Sequence, residues 1–456
     1  MQSKTSIDQS DATVESAENR HAFFFHYSEN AWDRVLEFLA FISIGSYLFL
    51  YVLIPDAYAF GPMLLLLVAL FGFRWRKMLH HVDDQSRWLI SVLLLYFLGQ
   101  TIPLIIHGED ISEFDLSARY IAASLVLLVV LKYTISARWF FSLAATGALV
   151  AGIFAFYQAE FLGVSRVTAF DNPIHYGNGA MAMALLAMAA IGWAMKQNYR
   201  FFWIALLFGG FVGGMYASLM SATRSGWVAI PIIVLTGLYV YWQPLLRRKV
   251  LSLVLLMVVV VGVGSVSQVD LVERRAAVAI DEFVDYYEEN RNDTSVGLRL
   301  DMWKAGWLAF QENLLIGVGP AGTDAVVDKL VLSEEIHPAV QNFRHLHNQY
   351  IDNLARYGLI GLICYLLLLA VPFVLFLKKT RSDVTSVQAL ALGGCFFVEL
   401  HAVVNLTQSM LERNIGVMMF ALMIVFIWGA IRGEEVRTKD ESEQEIAGRS
   451  HNVTLD

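Results

Sequence analysis

The 456-residue chain is poor in charge. Asp, Glu, Lys and Arg make up 16% of it, against a hydrophobic share of 57%. An average soluble domain is about 25% charged, so this chain has too little charge to clothe an ordinary water-facing surface. A long soluble enzyme, a disordered chain and a secreted disulfide scaffold are excluded together. Cysteine is scarce as well. Cys364 and Cys395 both lie inside apolar runs, where neither can staple an exposed loop, and they read as buried thiols. The first thirty residues lack a cationic patch leading into a short apolar stretch and a small-residue cleavage site, so no removable signal peptide is expected. There is no basic surface for a nucleic acid either. The net charge is −8; residues 1–31 carry five acids and two bases, and residues 433–456 carry seven acids and three bases. The excess negative charge therefore sits almost wholly in two solvated ends.

What is present is a series of apolar runs. A helix crossing the hydrocarbon core needs about 20 mostly apolar residues, and such runs lie near 33–54, 59–74, 88–106, 119–136, 138–157, 176–195, 201–222, 225–244, 249–268, 355–377, 385–405 and 415–432. No closed-barrel alternation accompanies them, so the spans are helices. The predicted class is an all-α, polytopic integral membrane protein of about 12 transmembrane helices. No internal repeat relates its halves. The loops after the second, fourth, sixth, eighth and tenth runs hold fourteen Lys and Arg, whereas the short loops on the other side hold only Arg119, Arg166, Arg224 and Arg413. That asymmetry puts both termini in the cytoplasm. The predicted division is a cytoplasmic tail over 1–31, spans one to nine over 32–268, one large helical periplasmic loop over 269–354, spans ten to twelve over 355–432, and a cytoplasmic tail over 433–456.

The four outward arginines oppose the positive-inside bias, so each needs a local reason. Arg224, in Ser221-Ala222-Thr223-Arg224-Ser225-Gly226-Trp227, joins two spans through a loop so short that it must lie at the membrane boundary. An ionisable side chain there marks either a functional site or simple snorkelling to headgroups. Arg166 is similar, but the turn residues around it suit a structural role equally. In the long loop, apolar spacing predicts helices over 272–287 and 298–312, the second with Leu300, Trp303, Trp307 and Phe310 on one face and Arg299 at its edge. Gly317-Val318-Gly319-Pro320-Ala321-Gly322 breaks the chain and reads as a tight turn rather than a phosphate cradle. On a continuous helix, His347, Ile351, Leu354 and Gly358 share one face, and Gly358 would admit a second helix. A lone histidine on such a face is commonly structural; the arginines and amides around His347 make a chemical role the competing reading. No metal-binding spacing is present. Asp110, Glu113 and Asp115 read as a solvated acidic loop, while Glu399 and His401 either line a cavity or pair with each other.

Arginines at a membrane boundary suit a substrate with an anionic head and a lipid tail, because the guanidinium fork matches phosphate oxygens and stays charged when partly desolvated. Outside the cytoplasm, group transfer must use a donor already activated on a lipid, and diphosphate is a competent leaving group if its developing charge is neutralised. A hydroxyl acceptor is a poor nucleophile and benefits from a neutral imidazole as general base. Arg224, Arg299 and His347 supply these parts.

The same residues carry a resemblance. TRSGW at 223–227, GLRLDMWKAGW at 297–307, GVGPAG at 317–322, and HNQYIDNLARYGLIG at 347–361, with ten residues between its histidine and Gly358, resemble segments of the bacterial O-antigen ligases of the ligase/polymerase superfamily. The resemblance extends over most of the chain, including one large loop between spans nine and ten. It implies a GT-C-like, Gram-negative inner-membrane enzyme. That enzyme would transfer O-antigen from an undecaprenyl diphosphate donor to a lipid A–core acceptor on the periplasmic face, with inversion and with no metal, ATP or other cofactor. It further implies that Arg224 and Arg299 hold the diphosphate and that His347 activates the acceptor. Arg166, Arg344, His345 and Tyr350 are the further candidates for binding substrate. One position departs from the pattern: Arg356 stands where many relatives have an acidic residue before the Tyr-Gly pair. An O-antigen polymerase or a protein O-oligosaccharyltransferase would share these motifs and differ in acceptor. A twelve-span transporter would instead call for a repeat and for polar groups near the bilayer midplane.

Overall fold

The computed structural model of the chain describes residues 31–50, 53–54, 57–71, 79–169, 172–245, 278, 281–286, 288 and 293–453. Among the described residues every regular element is helical. The long helices are α1 (Ala31–Leu50), α2 (Ala57–Phe71), α3 (Asp84–His107), α4 (Phe114–Lys132), α5 (Ala137–Glu160) and α6 (Pro173–Ala189, continued by the turn Ile191–Ala194). They are followed by α7 (Arg200–Met220), α8 (Ile230–Leu245), α9 (Ser295–Glu312), α10 (Gly319–Leu332), α11 (Gln349–Lys379), α12 (Thr385–Val404) and α13 (Asn414–Val453). Among the described residues, eight helices are long and apolar enough to cross a bilayer. The chain is a multi-pass membrane protein. Every predicted run coincides with a helix except 249–268, which lies outside the described residues, as do most of the predicted 1–31 tail and of the 272–287 helix. Residues 281–286 of that helix are described and are helical. The polar end at 433–456 is no loose tail through Val453: α13 continues unbroken to that residue.

Local chemistry sets the helix ends. Asp83 accepts a hydrogen bond from the Ser86 N–H at the start of α3, and Gly108 closes that helix in the left-handed conformation. Asn172 accepts from the Ile174 N–H at the start of α6, with Pro173 at the first helical position. Between the spans, small residues do the packing. A Cβ on Gly152 would stand 2.5 Å from the Gly213 Cα, and one on Gly214 would stand 2.5 Å from the Ala180 carbonyl. These close approaches draw α5, α6 and α7 together as bare backbones, the usual device where lipid gives no hydrophobic drive. Both cysteines are buried and free.

A second, smaller core lies at the end of the bundle that carries the long loop, here called the loop end. It gathers Met302, Ala305 and Ala309 of α9, Val326, Val327 and Leu330 of α10, and Ile336, Val340, Leu346 and Ala355. The face of α9 that packs is thus the small one. Gly306 lies against Leu346 and Ile351, whereas Trp307 is 53% exposed. The aromatic face predicted for this helix therefore does not pack as a unit: small residues allow α9 closer to α11 than an indole would.

The glycine-rich turn joins this core to the bundle. Gly358 adopts φ 65° and ψ −157°, interrupting α11. The freed N–H groups of Leu359 and Ile360 donate to the Leu314 and Leu315 carbonyls at 2.9 and 3.1 Å, and the Val318 N–H donates to the Ala355 carbonyl at 2.9 Å. The close neighbour admitted by Gly358 is this turn rather than a second helix, because a Cβ there would collide with the Leu315 backbone. Gly358→Ala combines a glycine-only conformation with that collision. It is expected to destabilise the protein by on the order of 3 kcal/mol, read as a lowered apparent Tm in detergent.

Candidate active site

The segment preceding α11 is held in place before any chemistry is considered. Leu346 is buried in the loop-end core. The Asp352 carboxylate accepts the Leu346 N–H at 3.1 and 3.2 Å and also accepts the Ser409 hydroxyl. Arg356 donates to the Arg344 carbonyl and bridges to Glu412 at 2.6 Å and Asp352 at 3.6 Å. Here the basic residue at the departing position neutralises two buried carboxylates at once. The connection between α12 and α13 is fixed in turn: Gln349 accepts the Leu411 N–H at 2.8 Å and donates to Glu412 at 3.1 Å.

His347 is not on α11, contrary to the continuous helix expected from spacing. Asn348 caps that helix by accepting from the Tyr350 and Ile351 N–H groups at 3.0 and 3.2 Å. His347 precedes the cap in the left-handed region at φ 51°. A short polar side chain that satisfies two orphan N–H groups starts the helix one residue later than apolar periodicity suggests. The ring is thereby turned off the helix face and onto the α12–α13 connection.

There its Nδ1 lies 3.2 Å from Gln408 Oε1. With the amide oxygen as acceptor, Nδ1 carries the proton and Nε2 presents its lone pair. The His345 ring lies tilted against it at 4.4 Å and 37°, and Phe343 approaches edge-on at 5.3 Å. Burial lowers the His347 pKa below its ordinary 6.5; the Gln408 hydrogen bond opposes this, and the positive charges of Arg299 and Arg413 reinforce it. Burial, His347 and Arg413 push His345 down to about 3. Both imidazoles are neutral near neutrality. Arg299, on the first turns of α9, is half-buried and stands near Glu282. Of the predicted trio, the structure brings Arg299 and His347 into electrostatic reach.

Arg224 lies in the connection between α7 and α8. Its loop is pinned by Arg166, whose Nε donates to the Ser221 carbonyl at 3.1 Å, and by Thr223, which donates to the Pro173 carbonyl at 2.9 Å. Gly226 packs against Asn178 of α6 and Leu400 of α12. The Arg224 guanidinium is exposed, and among the described residues it is not one of the charges acting on His347. The remaining candidates separate. The Tyr350 hydroxyl donates to the Ala402 carbonyl at 2.8 Å, and Arg344 has its carbonyl held by Arg356 while its side chain stays exposed. Glu399 and His401 do not pair with each other. Glu399 accepts from Thr236, and His401 Nδ1 lies 3.1 Å from the Phe397 carbonyl.

Asp115 pairs with Arg119 at 2.8 Å, while Asp110 precedes and Glu113 ends a short 3-10 turn. Among the described residues no group of three or more acidic, His or Cys side chains is gathered as a metal would require. The glycine-rich turn is occupied at its helix end by protein, since Glu109 accepts the Ala321 N–H at 3.0 Å. Gln408 and Arg413 are the site residues missed from sequence. Gln408 gave no signal, and Arg413 showed only as an outward arginine.

Residues 209–366 match a family model described as O-antigen ligase. That stretch contains Arg224, Arg299, His347 and Gly358 and ends before Gln408 and Arg413. A protein of Haemophilus influenzae described as uncharacterized is 25% identical over 399 residues, which cover 87% of this chain and 99% of the relative.

Proposed function

We propose, from the premise that this chain belongs to the O-antigen ligase/polymerase superfamily, that it is an inverting O-antigen ligase. It transfers polysaccharide from undecaprenyl diphosphate to lipid A–core at the periplasmic face of a Gram-negative inner membrane. The arrangement is GT-C-like: twelve spans, both termini in the cytoplasm and the 269–354 loop outside. His347 Nε2 takes the proton of the acceptor hydroxyl as its oxygen attacks the anomeric carbon, and the bond to the diphosphate oxygen breaks with inversion. Arg299 and Arg224 neutralise the charge that grows on the departing diphosphate. The observation that carries this reading is the His347 ring turned off α11, with its Nδ1 3.2 Å from Gln408 Oε1 so that Nε2 presents the lone pair.

A null strain tests it. Loss of the ligase leaves bare lipid A–core together with long polymer on the carrier lipid. A core bearing one repeat unit would indicate polymerase activity instead, and unchanged glycolipids would contradict the reading altogether.

The pH profile follows from the depressed His347 pKa. The neutral ring is the active form, so kcat/KM should hold as pH falls through the ordinary histidine value of 6.5. It should decline only below that, once the folded-state group protonates. An acidic limb centred at or above 6.5 would show that another group limits the rate.

A further inference from the structure

Four arginines break the positive-inside pattern, and the structure accounts for two of them. Arg119 is paired with Asp115, and Arg166 holds the Ser221 carbonyl. Among the described residues, Arg224 and Arg413 are left exposed with no side-chain hydrogen bond or salt bridge. Arg224 already has a role in the proposed reaction. Arg413 does not, and its setting is more rigid than its exposure suggests. The residue before it, Glu412, is anchored by Arg356 at 2.6 Å and Gln349 at 3.1 Å. The Glu412 N–H donates to the Ser409 carbonyl, the Met410 N–H donates to Asn405, and the Arg413 carbonyl accepts the Val417 N–H that begins α13. The connection thus presents one unpaired guanidinium from a braced frame. That frame also carries Gln408, the partner of His347.

Its position relative to the imidazoles distinguishes it from Arg299. Arg413 acts on both His345 and His347, whereas Arg299 acts on His347. In a direct displacement the nucleophile and the leaving group occupy opposite faces of the anomeric carbon. Arg413 shares the α12–α13 connection with Gln408, the partner of the base. Arg224 and Arg299 come from other elements and serve the donor diphosphate, so Arg413 is matched to a further anion beside the nucleophile. Arg299, on α9, is spoken for by the donor diphosphate. We propose that Arg413 binds an anionic substituent, a phosphate, on the acceptor glycolipid and thereby delivers the acceptor hydroxyl to His347. This rests on the ligase reading and adds the acceptor's chemical class to it.

The test uses full-length protein in vesicles with an undecaprenyl diphosphate-linked glycan and a lipid A–core acceptor, either native or stripped of phosphate with aqueous hydrogen fluoride. Arg413→Gln should raise KM for the native acceptor on the order of 10-fold or more, leaving donor KM and kcat near those of the parent. Arg413→Lys keeps the charge but loses the fork and should recover part of that affinity. The parent acting on dephosphorylated acceptor should show the same rise, and Arg413→Gln should add nothing to it. An unchanged acceptor KM, a rise in donor KM instead, or an equal further loss on both acceptors would overturn the assignment. A parent that glycosylates neither acceptor would overturn the ligase reaction itself, whereas an active parent matched by Arg413→Gln would remove this inference alone.

Discussion

His347→Ala is expected to lower glycan transfer by about 10²- to 10⁴-fold, the usual worth of a positioned general base, while the protein still inserts and folds. Two features make the test more than a loss of function. His347 occupies the left-handed region, where alanine is disfavoured but asparagine is tolerated. His347→Asn therefore keeps the backbone conformation and removes only the imidazole, and it should be as inactive as the alanine variant. If asparagine restored substantial activity, the residue's contribution would be its backbone rather than its ring. Gln408→Ala should act more mildly, because it releases the ring from its hydrogen bond without removing the base. An apparent Tm close to the parent's in each case would separate chemistry from folding.

Arg299→Ala is expected to cost about 10²- to 10³-fold, mainly in kcat, since the charge it opposes develops only as the diphosphate departs. Arg299→Lys should recover part of the rate but not all of it, because a point charge replaces a fork able to meet two phosphate oxygens. A second consequence has a fixed sign. Arg299 is one of two cations that hold the His347 pKa down, so the residual activity of Arg299→Ala should lose its acidic limb at a higher pH than the parent. A variant with raised donor KM and unchanged kcat would mean that Arg299 only binds the ground state. An unmoved acidic limb would mean that the two side chains are farther apart in the working enzyme than here.

The spans were legible because hydrocarbon imposes a length and a composition on every crossing. The described helices follow the apolar runs closely, with α3, α5 and α12 within a few residues of the expected bounds. The loop end was less legible. Apolar periodicity carried His347 onto α11, but one capping side chain, Asn348, outweighed it. The predicted face of α9 used its largest residues, whereas packing against α11 selected its smallest: Gly306 receives Leu346 and Ile351 where an indole has no room. Gln408 was invisible because its partner lies 61 residues away, with no periodic pattern to announce the contact. Arg356 illustrates the same limit. Its identity as a departure from the motif was plain, yet its work in binding Glu412 and the Arg344 carbonyl belongs to tertiary structure alone.

The most direct measurement reconstitutes the purified chain in vesicles with undecaprenyl diphosphate-linked glycan and lipid A–core, and then follows both lipids and the new anomeric linkage. Core-linked glycan of inverted configuration, formed by the parent and absent with His347→Asn, is the predicted result. Lengthened carrier-linked glycan with untouched core, retained anomeric configuration, or undiminished transfer by His347→Asn would contradict it.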